Sequence, residues 1–297
     1  MSQPAQKGPY SVFVLGDGIY RIEDSNAGNP AGEHPGKDGK PGSMNNCSDM
    51  YLVVGKDKAL LIDLSNAITW DNTATESLRS LVYERTGMKE LLITVTHKHG
   101  DHLGMLPAFI KDPQVRFWIP GAEFSGTSIF PAERTNFFTE NAILDLGGGF
   151  EIRTLELPGH TAHSTLFFLA GQNLVFTGDA IGSGNGVWLF NYESFPIYCT
   201  SINRLITWLE DPANNIRPDK LIIYGGHHWQ KGKKEELTIQ YLNDMSTLIE
   251  RIGTGTADIQ SVSFNFPFLD TNFKYGSATI TWNKEAAERY AKSLHGE

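Results

Sequence analysis

The chain has 297 residues, 40% of them hydrophobic and 20% charged, which is the balance of a folded protein with room for a sizeable core and excludes a disordered one. Its formal net charge is −9, and its densest basic run, Lys231-Gly-Lys-Lys234, is followed at once by Glu235 and Glu236, so nucleic acid is disfavoured as a partner because phosphate neutralisation needs a basic surface. The two cysteines, Cys47 and Cys199, form no CxxC pair, which excludes a cysteine zinc knuckle or a dithiol redox motif and leaves two reduced thiols as the expectation.

Taken in order, Ser11 to Leu15 and Ile19 to Ile22 read as strands around the turn Gly16-Asp17-Gly18. Asp24 to Asn46 is rich in Gly, Pro, Asn and Asp and reads as a loop insertion. Tyr51 to Val54 and Ala59 to Asp63 form a further hairpin. Leu78, Leu81 and Val82 have helical spacing within Thr75 to Thr86, and Gly87 supplies the C-terminal cap. Leu91 to Thr96 is an apolar, β-branched run typical of a buried strand. A helix is expected over Leu103 to Lys111 and a strand over Val115 to Ile119. Glu123 to Asn141 is polar and aromatic without a clear period. Strands return at Ile152 to Glu156, Ser164 to Leu169, Leu174 to Thr177 and Leu221 to Tyr224. Helices are expected over Ile202 to Leu209 and Lys234 to Arg251, and the tail pairs a strand, Ser277 to Trp282, with a helix from Lys284. This succession suggests two α/β halves in one domain spanning residues 1–297. No apolar stretch approaches the roughly 20 residues that span a bilayer, and the start lacks a signal peptide's basic and apolar regions, so a soluble, cytoplasmic protein is expected.

The densest chemical signal is Thr96-His97-Lys98-His99-Gly100-Asp101-His102. His97 and His99 are two apart and share a face in an extended segment. Gly100 permits the chain to turn, so Asp101 and His102 can aim at a second point. Imidazole and carboxylate are the ligands expected for zinc and neighbouring first-row metals. Further ligand types follow apolar strands: His160 in Leu157-Pro-Gly-His-Thr161, Asp179 in Phe176-Thr-Gly-Asp-Ala180, and His227 in Tyr224-Gly-Gly-His-His228. Strand ends are where α/β folds bind ligands, and one site explains all four segments.

This ordered set, His-x-His-x-Asp-His, Gly-His-Thr, Thr-Gly-Asp and Gly-His, resembles the metallo-β-lactamase superfamily. The resemblance extends to Leu61-Ile-Asp-Leu64, whose aspartate would lie beneath the metal loop. It implies an α/β fold, the αββα sandwich, with metals at one edge of the two sheets. It implies that His97, His99 and His160 hold one ion, that Asp101, His102 and His227 hold another, and that Asp179 bridges them. Asp63 would steady a ligand or the loop. His228 competes with His227, and His163 stands where the family often has Gly.

The resemblance also implies a hydrolase with two divalent ions, zinc first and iron or manganese as alternatives. A shared water held as hydroxide would attack a small-molecule ester, lactone, amide or thioester, and Asp101 would take or relay its proton. Lactonases of the family place a tyrosine near the position of Tyr198, which is therefore expected to donate to the developing oxyanion or leaving group; the other reading of Tyr198 is a core or rim aromatic. Ala180 to Tyr198, with a Gly/Ser start and then Trp188, Phe190 and Tyr192, reads as a second insertion forming a lid or pocket wall. The rival readings are a persulfide dioxygenase-like oxidoreductase with one iron and a non-catalytic metal-binding protein. The expected partner is a small molecule, with no nucleic acid and no membrane; a homo-oligomer is left open.

Overall fold

The computed structural model describes residues 4–24, 47–184, 186–230, 236–263 and 266–295. The expected insertion at 24–46 lies outside the described residues except for Asp24, as do the first two residues of the expected 234–251 helix, which begins only at Ile239 after the short strand Leu237–Thr238.

Strands β1 (Ala5–Lys7), β2 (Tyr10–Gly16), β3 (Ile19–Asp24), β4 (Met50–Val54), β5 (Lys58–Ile62), β6 (Glu90–Thr94), β7 (Arg116–Pro120) and β8 (Thr135–Phe138) form one sheet in sequential order. The pairs from β1 to β5 are antiparallel, and those from β5 to β8 are parallel. Helix α1 (Ala74–Thr86) makes the crossover from β5 to β6 and ends at Gly87, whose φ of 60° is left-handed, as the cap requires.

A second sheet holds β9 (Ile143–Asp145), β10 (Glu151–Glu156), β11 (Thr165–Ala170) and β12 (Leu174–Gly178). The chain then contributes β13 (Val187–Trp188) elsewhere, and adds β14 (Ile222–Gly225) and β15 (Leu237–Thr238) to this second sheet. A small third sheet joins β13 to β16 (Asp258–Ser261), β17 (Thr271–Tyr275) and β18 (Ala278–Trp282). The remaining helices are α2 (Ser194–Glu210), α3 (Ile239–Gly253) and α4 (Lys284–His295).

The layers follow from the two-residue period of the central strands. In β4, Tyr51 and Val53 face the second sheet while Met50 and Leu52 face α1; β5 repeats this with Leu60 and Ile62 against Ala59 and Leu61. In β11, Phe167 and Leu169 meet the first sheet, while Leu166, Phe168 and Ala170 pack with α2 and α3. Both faces of these strands are covered, which is why their sequences read as continuous apolar runs. The result is helix on sheet on sheet on helix, the expected sandwich.

Several local expectations change. Leu103 to Lys111 is not an α-helix; only a short 3-10 turn at Leu106–Ala108 forms. Gly104 N–H donates to the Ser65 carbonyl and Met105 N–H to Leu64, so backbone groups serve the neighbouring segment instead of a helical ladder. A Cβ on Gly104 would lie 2.0 Å from Ala67 N, so only glycine permits this approach. The aperiodic stretch 123–141 hides the half-exposed strand β8, and the wholly exposed β16 gave no apolar signal. Helix α2 begins at Ser194, eight residues before the expected start. Ala180 to Tyr198 is accordingly no detached lid: Val187 and Trp188 pair with Ile280 and Thr281, and Ser194 to Tyr198 opens α2. No helix among the described residues is long and apolar enough to cross a membrane.

Candidate metal centre

The site forms at one end of the sandwich, where strands of both sheets finish. Asp63 follows β5, His97 follows β6, His160 follows β10, Asp179 follows β12, and His227 follows β14. The loop after β6 turns through a 3-10 turn, Gly100–His102, and presents His99 and Asp101 to the cavity and His102 to its buried floor.

The structure gathers all seven expected residues. Two groups of donor atoms arise, His97, His99 and His160, and Asp101, His102, Asp179 and His227; within each, the candidate ligand atoms lie within 4.8 Å of one another. Asp179 stands between the groups. Its Oδ1 lies 3.5 Å from His102 Nε2 and 3.2 Å from His227 Nε2, while Oδ2 lies 3.6 Å from His160 Nε2. Asp101 Oδ2 is 3.4 Å from His227 Nε2. Ser183 Oγ donates to Asp179 Oδ1 over 2.6 Å and fixes its rotation.

The outer ring nitrogens are held by the protein. His160 Nδ1–H donates to the Trp188 carbonyl (2.9 Å) and His227 Nδ1–H to the Cys47 carbonyl (2.8 Å). His102 Nδ1–H donates to Asp63 Oδ2 at 2.8 Å. Asp63 also accepts from Thr96 N–H and Thr96 Oγ1–H, and Thr96 Oγ1 in turn lies 3.0 Å from His97 Nδ1. Each of these rings thus turns Nε2 inward, where its lone pair serves an ion once any proton on it has left. His97 Nε2 and His102 Nε2 are completely buried without a hydrogen-bond partner. Such groups cost roughly 1–3 kcal/mol each when unsatisfied, and a cation accounts for them. The donor set, five imidazoles and two carboxylates, fits ions of the zinc type.

The two groups differ electrostatically. Burial and neighbouring histidines hold His97 well below its ordinary value and bring His99 down to about 4; burial likewise lowers His160. Burial acts the same way on His102 and His227, but the carboxylates outweigh it: Asp63 and Asp179 push His102 well up, and Asp179 and Asp101 push His227 to about 10. Without an ion the second group therefore holds protons at neutral pH, and the first does not. Uptake of an ion by His97, His99 and His160 is expected to release no proton near pH 7. Uptake by Asp101, His102, Asp179 and His227 is expected to release protons and to strengthen as pH rises toward 10. Calorimetric titration with zinc in buffers of different ionisation enthalpy checks this; equal proton release at the two donor groups would refute the asymmetry.

Three of the remaining sequence candidates take other places. Tyr198 does not reach the cavity. Its ring is fully buried beneath Gly159, where a Cβ would come within 2.6 Å of it, and its hydroxyl donates to the Ala180 carbonyl at 3.0 Å. It braces the residue before His160 and the one after Asp179, so the expected oxyanion donor is corrected to a core aromatic. Tyr198→Phe is expected to cost about 1 kcal/mol of stability for one buried hydrogen bond and to leave turnover within about twofold; thermal melting and steady-state rates read the two effects. His228 turns away from the cluster: its N–H donates to Asp49 Oδ2 and its ring lies 3.6 Å from Glu23 Oε1. His163 is directed to Glu156 and lies outside the cavity.

Two supports were missed. Glu123 is buried and accepts from Lys98 N–H and His163 N–H, tying the 97–102 loop to the loop that carries His160. Asp49 accepts from His228 N–H and donates its own N–H to the Gly226 carbonyl (2.6 Å), so it grips the turn bearing His227 from both sides. Neither belongs to a periodic or clustered motif. Cys47 and Cys199 form no disulfide.

A cavity of about 350 Å³ opens over the cluster, lined by His99, Asp101, His160, Asp179 and His227, together with Ser183, Trp188, Phe190, Gln230 and Phe266. The segment 180–198 thus supplies a wall of the cavity, as its composition suggested.

Comparison with known proteins bears on this arrangement. Residues 48–191 match the family model described as the metallo-beta-lactamase superfamily. The lactamase-like protein adaB of Aspergillus niger is 29% identical over 173 residues, 56% of this chain and 49% of that protein. A hydroxyacylglutathione hydrolase of Chromohalobacter salexigens is 29% identical over 147 residues, 49% of this chain and 51% of that protein. The chain spans about half the length of each of these two relatives. Among solved structures, a metallo-beta-lactamase from Pontibacter korlensis superposes with a TM-score of 0.57 at 17% identity, covering 81% of this chain and 99% of that one, which bears on the fold alone. The family match carries the loop at 97–102, His160 and Asp179, and the geometry adds His227 from beyond it. Residues 48–191 thus match the metallo-β-lactamase superfamily, whose members bind metal ions and are mostly hydrolases, and the chain shares the four-layer architecture of its solved neighbours, with paired His/Asp clusters at one edge.

Proposed function

We propose that this chain is a dinuclear metal-dependent hydrolase acting on a small, partly apolar ester, lactone, amide or thioester. The observation that carries the reading is Asp179, whose two oxygens face two separate groups of inward-turned donors. His97, His99 and His160 would hold one ion, Asp101, His102 and His227 the other, with Asp179 shared; zinc suits this donor set best. When bound, such ions polarise a carbonyl oxygen and bring the pKa of water near neutrality.

The chain's own groups do the rest. Thr96, Asp63, Trp188 and Cys47 fix the rings, so the donors need no reorganisation as substrate enters. Asp101, with its side chain 17% exposed, stands at the cavity wall and takes the proton that leaves the attacking water. Trp188 and Phe190 wall the cavity with apolar surface beside the donors and keep water from that side of the reacting centre.

Metal analysis of protein loaded with zinc, joined to a panel of esters, lactones, thioesters and amides, tests the proposal. Two zinc per chain with turnover is the expected result. One iron per chain with oxygen uptake on a persulfide would replace it with the oxidoreductase reading. Two bound ions without turnover on any member of the panel would leave a metal-binding protein.

A further inference from the structure

Three aromatic rings line the cavity beside the metal cluster and outside the packed cores. Trp188 and Phe190 come from β13 and the segment after it, and Phe266 comes from the connection between β16 and β17. They meet edge to face around one side of the cavity: Trp188 to Phe190 at 6.3 Å, Trp188 to Phe266 at 5.8 Å and Phe190 to Phe266 at 5.6 Å between centroids. None of the three belongs to the packed cores, and Phe266 is 48% exposed. Phe190 also meets the rings of His99 (5.7 Å) and His160 (5.4 Å). The aromatic wall therefore starts at the first donor group and runs outward to the cavity mouth.

We propose that this wall is the binding site for an aryl group, so that the substrate class is an aryl or arylacyl ester or thioester. As a statement about substrate it rests on the hydrolase reading. Aromatic rings prefer offset or tilted neighbours, and because all three rings line the cavity, a planar ring entering it would meet them in such arrangements. A saturated ring of equal size buries similar area but cannot make these contacts. The volume of about 350 Å³ lies at the lower end of small-molecule sites and holds one or two fused rings beside the reacting carbonyl. Because Phe190 touches His99 and His160, the ring would lie on the side of His97, His99 and His160, with the carbonyl toward Asp179 and His227. Phe266 is the outermost member and the one whose removal disturbs least of the packing.

The test compares 2-naphthoate with its saturated counterpart, decahydro-2-naphthoate, by calorimetry on the zinc-loaded protein and on Phe266→Ala. The naphthoate is expected to bind roughly three- to tenfold more tightly than the saturated acid, and Phe266→Ala is expected to abolish most of that difference. Equal affinities in the parent protein, or a preference untouched in both Phe266→Ala and Trp188→Leu, would overturn the proposal. The matching esters separate it from the hydrolase reading. Turnover of both series at equal kcat/KM refutes the aryl site and keeps the hydrolase; selective naphthoate binding without turnover of either series keeps the aryl site and refutes the hydrolase.

Discussion

Asp179→Asn is expected to lose at least one metal equivalent and to lower hydrolysis roughly a hundredfold or more, because one uncharged amide cannot serve two cations as a carboxylate does. The substitution keeps the side chain's size. It removes the charge that His102, His227 and His160 all face at 3.2–3.6 Å. Metal content by mass spectrometry and rates on the best ester of the panel measure the effect. A second readout is independent of turnover: in the metal-free protein, His227 should lose the carboxylate that does most to raise it and titrate well below about 10, as followed by nitrogen-15 NMR of the imidazole. Two full metal equivalents and an unmoved His227 would show that Asp179 is a bystander.

The second large effect is expected at a residue that touches no ion. Asp63 accepts from His102 Nδ1–H with one oxygen and from Thr96 N–H with the other. In Asp63→Asn one of those two donors must face an amide NH₂, whichever way the amide turns. The backbone is undisturbed, since Asp63 sits at φ 61° and asparagine tolerates that region as well as aspartate does. Metal affinity is expected to fall about 10- to 100-fold, the range seen when the hydrogen-bond partner of a ligating histidine is removed. Folding stability should also fall by roughly 1–3 kcal/mol for the stranded buried donor. Competition against a chromogenic chelator and thermal melting separate the two. Unchanged affinity with reduced stability would reduce Asp63 to a strand-end anchor.

Much of this arrangement was legible because the chemistry is local in the chain. His97, His99, Asp101 and His102 fall within six residues, and His160, Asp179 and His227 each stand just beyond an apolar strand. A buried parallel strand announces itself by composition, and its end announces the site. The misreadings share one cause, which is dependence on distant partners. Leu103 to Lys111 has helical composition, but residues 64 and 65 take the backbone donors of Met105 and Gly104. Tyr198 stands at a plausible distance from Asp179 in sequence, yet α2 turns its ring under Gly159. Asp49 and Glu123 are single acids without a pattern, and only the folded chain shows which turns they hold. Phe266 lies in an aromatic run with Phe268 that nothing in the sequence links to Trp188; the third sheet makes that link.

The donors come from both halves of the sandwich: the 97–102 loop from the first sheet, and His160, Asp179 and His227 from the second. An ion bound there would be a rivet between layers, added to the hydrogen bonds that Asp49 and Glu123 already make across that end. Whatever binds the folded cluster and not the unfolded chain stabilises the fold by mass action, about 2.7 kcal/mol at a hundred times the dissociation constant. On the proposed reading, the supply of metal in the surroundings would govern how firmly the two sheets are held at that end as well as the rate of the site.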